Sequence, residues 1–256
     1  MNNQLLEEAI KICLAAGEIL KNFYGEDFIV YIKEDDSPVT IADRETNDFI
    51  VSELHKISDI PIISEEKYDD FDKSNHTFWL LDPLDGTKQF IKNEPEFCIS
   101  LALIENNQPI MGIIYAPITN ELYYAEKGKG VKSNIDINSP SEKIHAITNK
   151  NNLNEIEKKI FNLINAEEIT KVKSAIKYGR IAINKHNFYI RFNDSCIWDI
   201  AAGHAILKEA GFEIIDLITH EPLIYDPNNL INNPFVVIPR TLEKDLNKIY
   251  KLLEEV

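Results

Sequence analysis

Cysteine is scarce in this chain, and its spacing excludes more than its number does. The 256 residues hold three, Cys13, Cys98 and Cys196, far apart and with no C-x-x-C pair. Neither a zinc framework nor a disulfide scaffold is expected, and buried free thiols among apolar neighbours are. Long apolar runs are missing as well, since no stretch approaches the roughly 18–20 residues that a membrane span needs. The first residues, MNNQLLEEAIKICLAAGEIL, carry acids where a signal peptide wants bases. A soluble, cytoplasmic protein is the expectation.

Basic charge is in deficit, with 27 Lys and Arg against 42 Asp and Glu and a net charge of −15. Such a surface repels polyanions, so no nucleic-acid partner is expected. Tight electrostatic attachment to a membrane is also disfavoured, although peripheral contact with its inner face stays open. A small phosphorylated substrate fits only if bound divalent cations invert the sign of its site. Familiar catalytic motifs are absent: there is no G-x-S-x-G elbow, no G-x-x-x-x-G-K-[ST] phosphate loop and no H-x-x-x-H pair. The six histidines are scattered, with His204 expected as a packed or surface residue, and Gly128-Lys129-Gly130 reads as a hairpin turn.

What is present is an ordinary globular composition, 44% hydrophobic and 27% charged. Apolar residues at helical spacing predict helices over 4–24, 42–56, 154–165, 199–210 (closed by Gly211) and 242–254. The second is entered by a Pro38-Val39-Thr40 turn. Strands are expected at 60–63, 78–81, 97–104, 110–115, 121–125 and 187–192, with 97–104 and 110–115 forming an antiparallel hairpin across residues 105–109. Mixed helices and strands with hairpins argue against a purely parallel sheet. The polar stretch 132–155 is the expected seam, dividing the chain into an α+β half, 1–135, and an α/β half, 136–256.

One segment carries chemistry. In FWLLDPLDGTKQF, residues 78–90, an apolar strand ends in Asp82 and Asp85, with Pro83 expected to stop it and Asp85-Gly86 to turn the chain. A helix starting near Gly86 would aim free N–H groups at whatever the carboxylates hold, as suits a divalent cation carrying a phosphoryl oxygen. A plain turn fits the same residues. Glu65, after the strand PIIS, puts a second acid at a strand end, where oxygen ligands suit Mg²⁺; a solvated loop start, with Lys67, Asp69, Asp70 and Asp72 following, is the alternative. Asp199 in IWDIAAGHAIL reads by itself as an N-cap, and Asp43 in SPVTIADRETN as a first-turn helix acid.

Taken together, Glu65-Glu66 after an apolar strand, D-P-L-D-G-T at 82–87 and W-D-x-A-A-G at 198–203 resemble the inositol monophosphatase superfamily of Mg²⁺-dependent, lithium-sensitive phosphatases. The resemblance covers nearly the whole chain. KEDDSPVTIAD at 33–43, DGTKQFI at 85–91 and FCISLALIENNQPIMGIIYAP from 97 are most similar to its 3'(2'),5'-bisphosphate nucleotidases. Those enzymes remove the 3'-phosphate of adenosine 3',5'-bisphosphate, a by-product of sulfur metabolism, leaving AMP. The resemblance implies an αβαβα layered sandwich with two or three Mg²⁺ ions between the subdomains. It implies Glu65, Asp82, Asp85, Asp199 and the Leu84 carbonyl as metal ligands, and Gly86 and Thr87 as binders of the scissile phosphate. Thr87 and Glu65 would activate a water, with Asp43 accepting from the Thr87 hydroxyl. Ser174, Lys177 and Arg191 would contact the nucleotide; solvated basic residues on a loop and a strand remain the other reading of Lys177 and Arg191. There the chain departs from the family, whose usual Gly-Ser-Ser becomes Lys173-Ser174-Ala175 and whose acid before Trp-Asp becomes Ile197. An inositol or sugar phosphatase, or a non-catalytic metal-binding scaffold, are the rival readings, and both monomer and homodimer stay open.

Overall fold

Every residue from Phe78 to Leu81 is apolar, so a strand there has to be covered on both faces. The structure, a computed structural model, describes residues 3–32, 38–67, 71–72 and 74–254, with backbone alone for 3 and 243–245. Its first half runs α1 (Asn3–Phe23), β1 (Val30–Ile32), β2 (Pro38–Thr40), α2 (Ile41–Ile57), β3 (Ile62–Ser64), β4 (Thr77–Asp85), α3 (Thr87–Ile91), β5 (Cys98–Glu105), β6 (Gln108–Ala116), β7 (Glu121–Glu126) and β8 (Val131–Ser133). The second continues β9 (Ile144–Thr148), α4 (Glu155–Leu163), β10 (Ala166–Lys171), α5 (Ile176–Ala182), β11 (Phe188–Arg191), β12 (Ser195–Cys196), α6 (Ala201–Glu209), β13 (Phe212–Asp216), β14 (Ile231–Asn232), β15 (Phe235–Pro239) and α7 (Glu243–Glu254). A 3₁₀ turn, Ile197–Asp199, leads from β12 to α6.

Strands β3-β4-β5-β6-β7-β8 form one sheet, antiparallel except for the β3–β4 pair, and β10-β9-β11-β15-β13 form a second, mixed sheet. Side chains alternate across β4. Trp79 and Leu81 join Leu101 and Ile113 against Ala9, Ala16 and Leu20 of α1 and Ile50 and Leu54 of α2. Phe78 and Leu80 face the other way, with Ile114, into a core shared by α5, α6 and Ile147, Tyr189 and Val237 of the second sheet. The far face of that sheet packs Phe188, Val236 and Ile238 on Phe161 of α4 and Ile249 of α7. The layers are therefore helix, sheet, helix, sheet, helix, the αβαβα sandwich that the resemblance implied. Contact in the middle layer is close: a Cβ at Gly112 of β6 would strike the Ala202 carbonyl of α6.

Several local expectations change. Pro83 does not stop its strand; β4 continues to Asp85, but Asp82 pairs with Ser100 and Asp85 with Cys98, so three steps on β4 oppose two on β5. That bulge is where a missing proline N–H costs the ladder least. Pro38-Val39-Thr40 is not a free turn but β2, paired with β1. The β5–β6 connection is tighter than expected, because Asn106 and Asn107 both take positive φ, 50° and 61°, as two-residue hairpin loops favour. Strands β13 and β15 and helix α5 escape the sequence pattern, since β13 and β15 are buried along nearly their whole length and α5 buries six of its seven residues, so no polar face marks them; β9 and the mostly exposed β10 escape it as well. Residues 33–37, part of the KEDDSPVTIAD segment, lie outside the described residues, as do Asp69 and Asp70. No helix among the described residues is long and apolar enough to cross a membrane. None of the three cysteines is in a disulfide; Cys13 and Cys98 are buried and Cys196 is half-buried.

His204 is packed, not a surface residue: its Nδ1 lies 2.9 Å from the Tyr225 hydroxyl and its Nε2 has no partner. Burial pushes its pKa down from 6.5 to about 3. Between those values the unfolded chain binds a proton that the folded chain refuses, so the folded state loses stability as pH falls. Urea unfolding at pH 7 and pH 5 should show the parent losing about 2 kcal/mol more than His204→Gln. Equal losses would mean that the imidazole titrates normally within the fold.

Candidate active site

Strand β3 ends beside the parallel β4, which runs on past it. Ser64 of β3 pairs with Leu81 of β4, and the Glu65 N–H donates to the Leu81 carbonyl at 3.0 Å, which sets Glu65 beside Asp82. After the bulge, Asp85 is followed by Gly86 at φ +105°, where a Cβ would also sit 3.0 Å from the Glu96 carbonyl oxygen and 3.1 Å from Phe97 Cβ. Both conformation and crowding demand glycine there. The Gly86 carbonyl accepts from Gln89 and Phe90, opening the short helix α3 with Thr87 as its first residue.

Four other elements reach this turn. The Thr87 hydroxyl is 3.1 Å from Asp43 Oδ1 and 3.2 Å from the Leu84 carbonyl. Asp43 is the third residue of α2, and its Oδ2 accepts from the Thr40 N–H (2.7 Å) and hydroxyl (2.6 Å) in a capping box. The first-turn acid of the sequence reading therefore has its second oxygen free to meet Thr87. From β5, Ser100 pairs with Asp82 and donates to the Trp198 carbonyl at 3.2 Å, bringing the 3₁₀ turn and Asp199 to the same place. Asp199 is consequently not the N-cap of α6; Ile200 is, with no side-chain bond. Just before α5, the Ala175 N–H donates to Asp85 Oδ2. Neither Ser100 nor Ala175 carried a signal in the sequence, because one acts through a strand pairing and the other through its backbone.

The carboxylates feel one another. Burial, then the charges of Glu65, Asp85 and Asp199, holds Asp82 well above the carboxylate range. Burial and Asp85 push Asp199 up to about 7 against the pull of Arg191. Asp85 is raised by burial, with Lys177 and the Ala175 N–H opposing. Asp43 rises to about 6 through burial, despite its bonds from Thr40.

Lys177 is not a solvated loop residue. It lies within α5 at 3% exposure, its Nζ donates to the Ser174 carbonyl (2.8 Å) and sits 4.6 Å from the Tyr178 ring centre. Burial lowers it to about 8 while Asp85 supports its charge. Ser174 is fully buried, and half-buried Arg191 at the end of β11 donates to the carbonyls of Asn193 (3.2 Å) and Asp194 (2.7 Å). Cys98 has more than apolar neighbours, since its Sγ is 3.9 Å from Asp85 Oδ2.

Among the described residues, no three His, Cys, Asp or Glu side chains close to the spacing of a metal centre. The chemistry of the donor set fits a hard divalent cation all the same: four carboxylates and the Leu84 carbonyl offer only oxygen. Lys177 and Arg191 balance two of the four negative charges. The residual repulsion has a measurable consequence. In EDTA at neutral pH, Asp82→Asn should raise the thermal midpoint by roughly 3–6 °C, because it removes a buried ionisable group from like charges; a lower midpoint would show that Asp82 is stabilising by itself.

The comparisons with known proteins identify the family. The model of the inositol monophosphatase family matches residues 1–254. The 3'(2'),5'-bisphosphate nucleotidase CysQ of Salmonella typhimurium is 34% identical over 241 residues, covering 90% of this chain and 97% of that protein. The protein of the same name from Buchnera aphidicola is 37% identical over 223 residues, 82% of this chain and 84% of its own. Among solved structures, CysQ from Bacteroides thetaiotaomicron superposes with a TM-score of 0.80 at 32% identity, covering 92% of this chain and 97% of that one.

Proposed function

Because the chain belongs to the inositol monophosphatase family, we propose that it is a phosphoric monoester hydrolase that removes the 3'-phosphate of adenosine 3',5'-bisphosphate to leave AMP, with the sulfated analogue as a further substrate. The observation that carries the reading is the Asp85-Gly86-Thr87 turn, gripped from one side by Asp43 of α2 and from the other by the Ala175 N–H. Relatives named as 3'(2'),5'-bisphosphate nucleotidases, matched over 90% of the chain, support the nucleotide as substrate. We read residues 1–135 and 136–256 as the two subdomains that meet at this turn.

In this reading Glu65, Asp82, Asp85, Asp199 and the Leu84 carbonyl would hold two or three Mg²⁺ ions, which would supply positive charge and lower the pKa of the attacking water. The remaining work belongs to the chain. Gly86 and Thr87 present backbone N–H groups that orient the scissile phosphate. The Thr87 hydroxyl, held by Asp43, orients the attacking water, and Glu65 takes its proton. Arg191, with Ser174 beside the buried charge of Lys177, faces the second phosphate.

Phosphate release from adenosine 3',5'-bisphosphate should vanish without Mg²⁺ and in Asp85→Asn. Thr87→Val should lower kcat about 100-fold, the loss typical of a misplaced proton-transfer partner. Turnover that survives metal removal sinks the mechanism. A higher kcat/KM on inositol 1-phosphate than on the nucleotide would reassign the enzyme to inositol esters. Calorimetric binding of Mg²⁺ and nucleotide with no phosphate release would make it a scaffold.

A further inference from the structure

The wall behind Gly86 is held from the opposite half of the chain. Glu96 and Phe97 press directly on Gly86, as the crowding at its absent Cβ shows. Phe97 is fully buried and meets Phe90 of α3 edge-on, with ring centres 4.9 Å apart. Through the side chain of Glu96 this wall reaches Arg180, whose Nη1 lies 3.2 Å from Oε1. Arg180 also forks onto Glu121 of β7, with Nε 3.0 Å from Oε2 and Nη2 2.8 Å from Oε1. The Tyr123 hydroxyl completes that carboxylate at 2.5 Å.

Arg180 is the residue of α5 that turns away from the buried core. Its neighbour Gly179 lies flat on the Tyr123 ring, where any Cβ would clash. The same helix begins immediately after Ala175, the residue that holds Asp85. One guanidinium thus joins three pieces: the helix anchored at Asp85, the strand β7 beneath it, and the 96–97 wall behind the phosphate-binding turn. At 17% exposure for Arg180 and 9% for Glu121, the fork is shielded from water, unlike the chain's many surface pairs. Burial pushes Glu121 up, yet the bonds from Arg180 and Tyr123 override it and hold the carboxyl at about 2.

We propose that Arg180 is a positioning residue: paired at once with Glu121 and Glu96, it locks the helix that holds Asp85 and the wall that backs Gly86 into one unit, and so sets where phosphate sits. It does not touch the substrate. The inference rests on the phosphatase reading for its reaction, but its physical content is the geometry of an anion cradle.

Arg180→Ala is the wrong probe, since it strands buried Glu121 and mixes folding with function. Glu96→Gln strips the charge from the arm to the wall, weakening it while leaving the Glu121 fork intact, and Arg180→Lys keeps a charge but loses the fork. Calorimetry with inorganic phosphate in Mg²⁺ buffer reads the cradle without turnover. Glu96→Gln should weaken phosphate binding and lower kcat/KM by about tenfold each, the scale expected of a sub-ångström misplacement. Its thermal midpoint should stay within about 3 °C of the parent. Arg180→Lys should show the same losses with a lower midpoint. Unchanged phosphate affinity in folded Glu96→Gln overturns the inference, as does a lowered midpoint with affinity intact. If the parent binds phosphate but leaves the nucleotide uncleaved, the nucleotidase reading falls alone and the affinity comparison still decides the role of Arg180. A parent that binds no phosphate overturns both.

Discussion

Asp82, Asp85 and Asp199 gather at one place, Asp82 buried and the other two half-buried, where the charge of Asp85 raises the affinity of both partners for protons, and much of the structure serves to keep them there. Such a grouping opposes folding, because each charge loses hydration and gains like-charged neighbours. It persists because the groups are fixed by elements whose stability lies elsewhere. The Leu84 N–H holds Asp82, the Ala175 N–H holds Asp85, and Ser100 ties the turn of Asp199 to the strand opposite Asp82. Three apolar clusters, one on each side of the larger sheet and one beyond the smaller, supply the favourable burial that offsets the cost.

The layered fold makes this arrangement possible at a definite place. Because β3 and β4 run parallel, Glu65, just past the end of β3, comes beside Asp82 of β4. The bulge at Pro83 then swings Asp85 and Gly86 out of register, toward the seam where α2 approaches from one layer and α5 from another. Small residues in the middle layer let these elements come close. Gly112 accepts the backbone of α6, and Gly179 accepts the ring of Tyr123. A larger side chain at either position would push apart the layers whose meeting defines the site.

Much of this was legible without coordinates. The long helices α1, α2 and α7 announce themselves through apolar spacing, and the acids at Glu65, Asp82, Asp85 and Asp199 stand out because each borders an apolar segment where charge needs a reason. Elements buried on all sides gave no such sign. Helix α5 offers almost no polar face, so Lys177 read as plausibly solvated although it lies in the core. Proline misled for a related reason: its missing N–H ends a regular ladder, but here the ladder was already interrupted by a bulge.

Sequence by itself determined the chemical inventory: acids bordering apolar segments, a glycine that must turn, and a net charge of −15. It did so because residue type and local spacing are written directly into the chain. Only the tertiary structure decided which residues meet. Asp43 finds Thr87 across 44 positions, Ala175 finds Asp85 across 90, and Arg180 joins Glu121 and Glu96 across 59 and 84. Those contacts depend on sheet register and layer packing, which sum over the whole molecule and leave no mark on the local pattern.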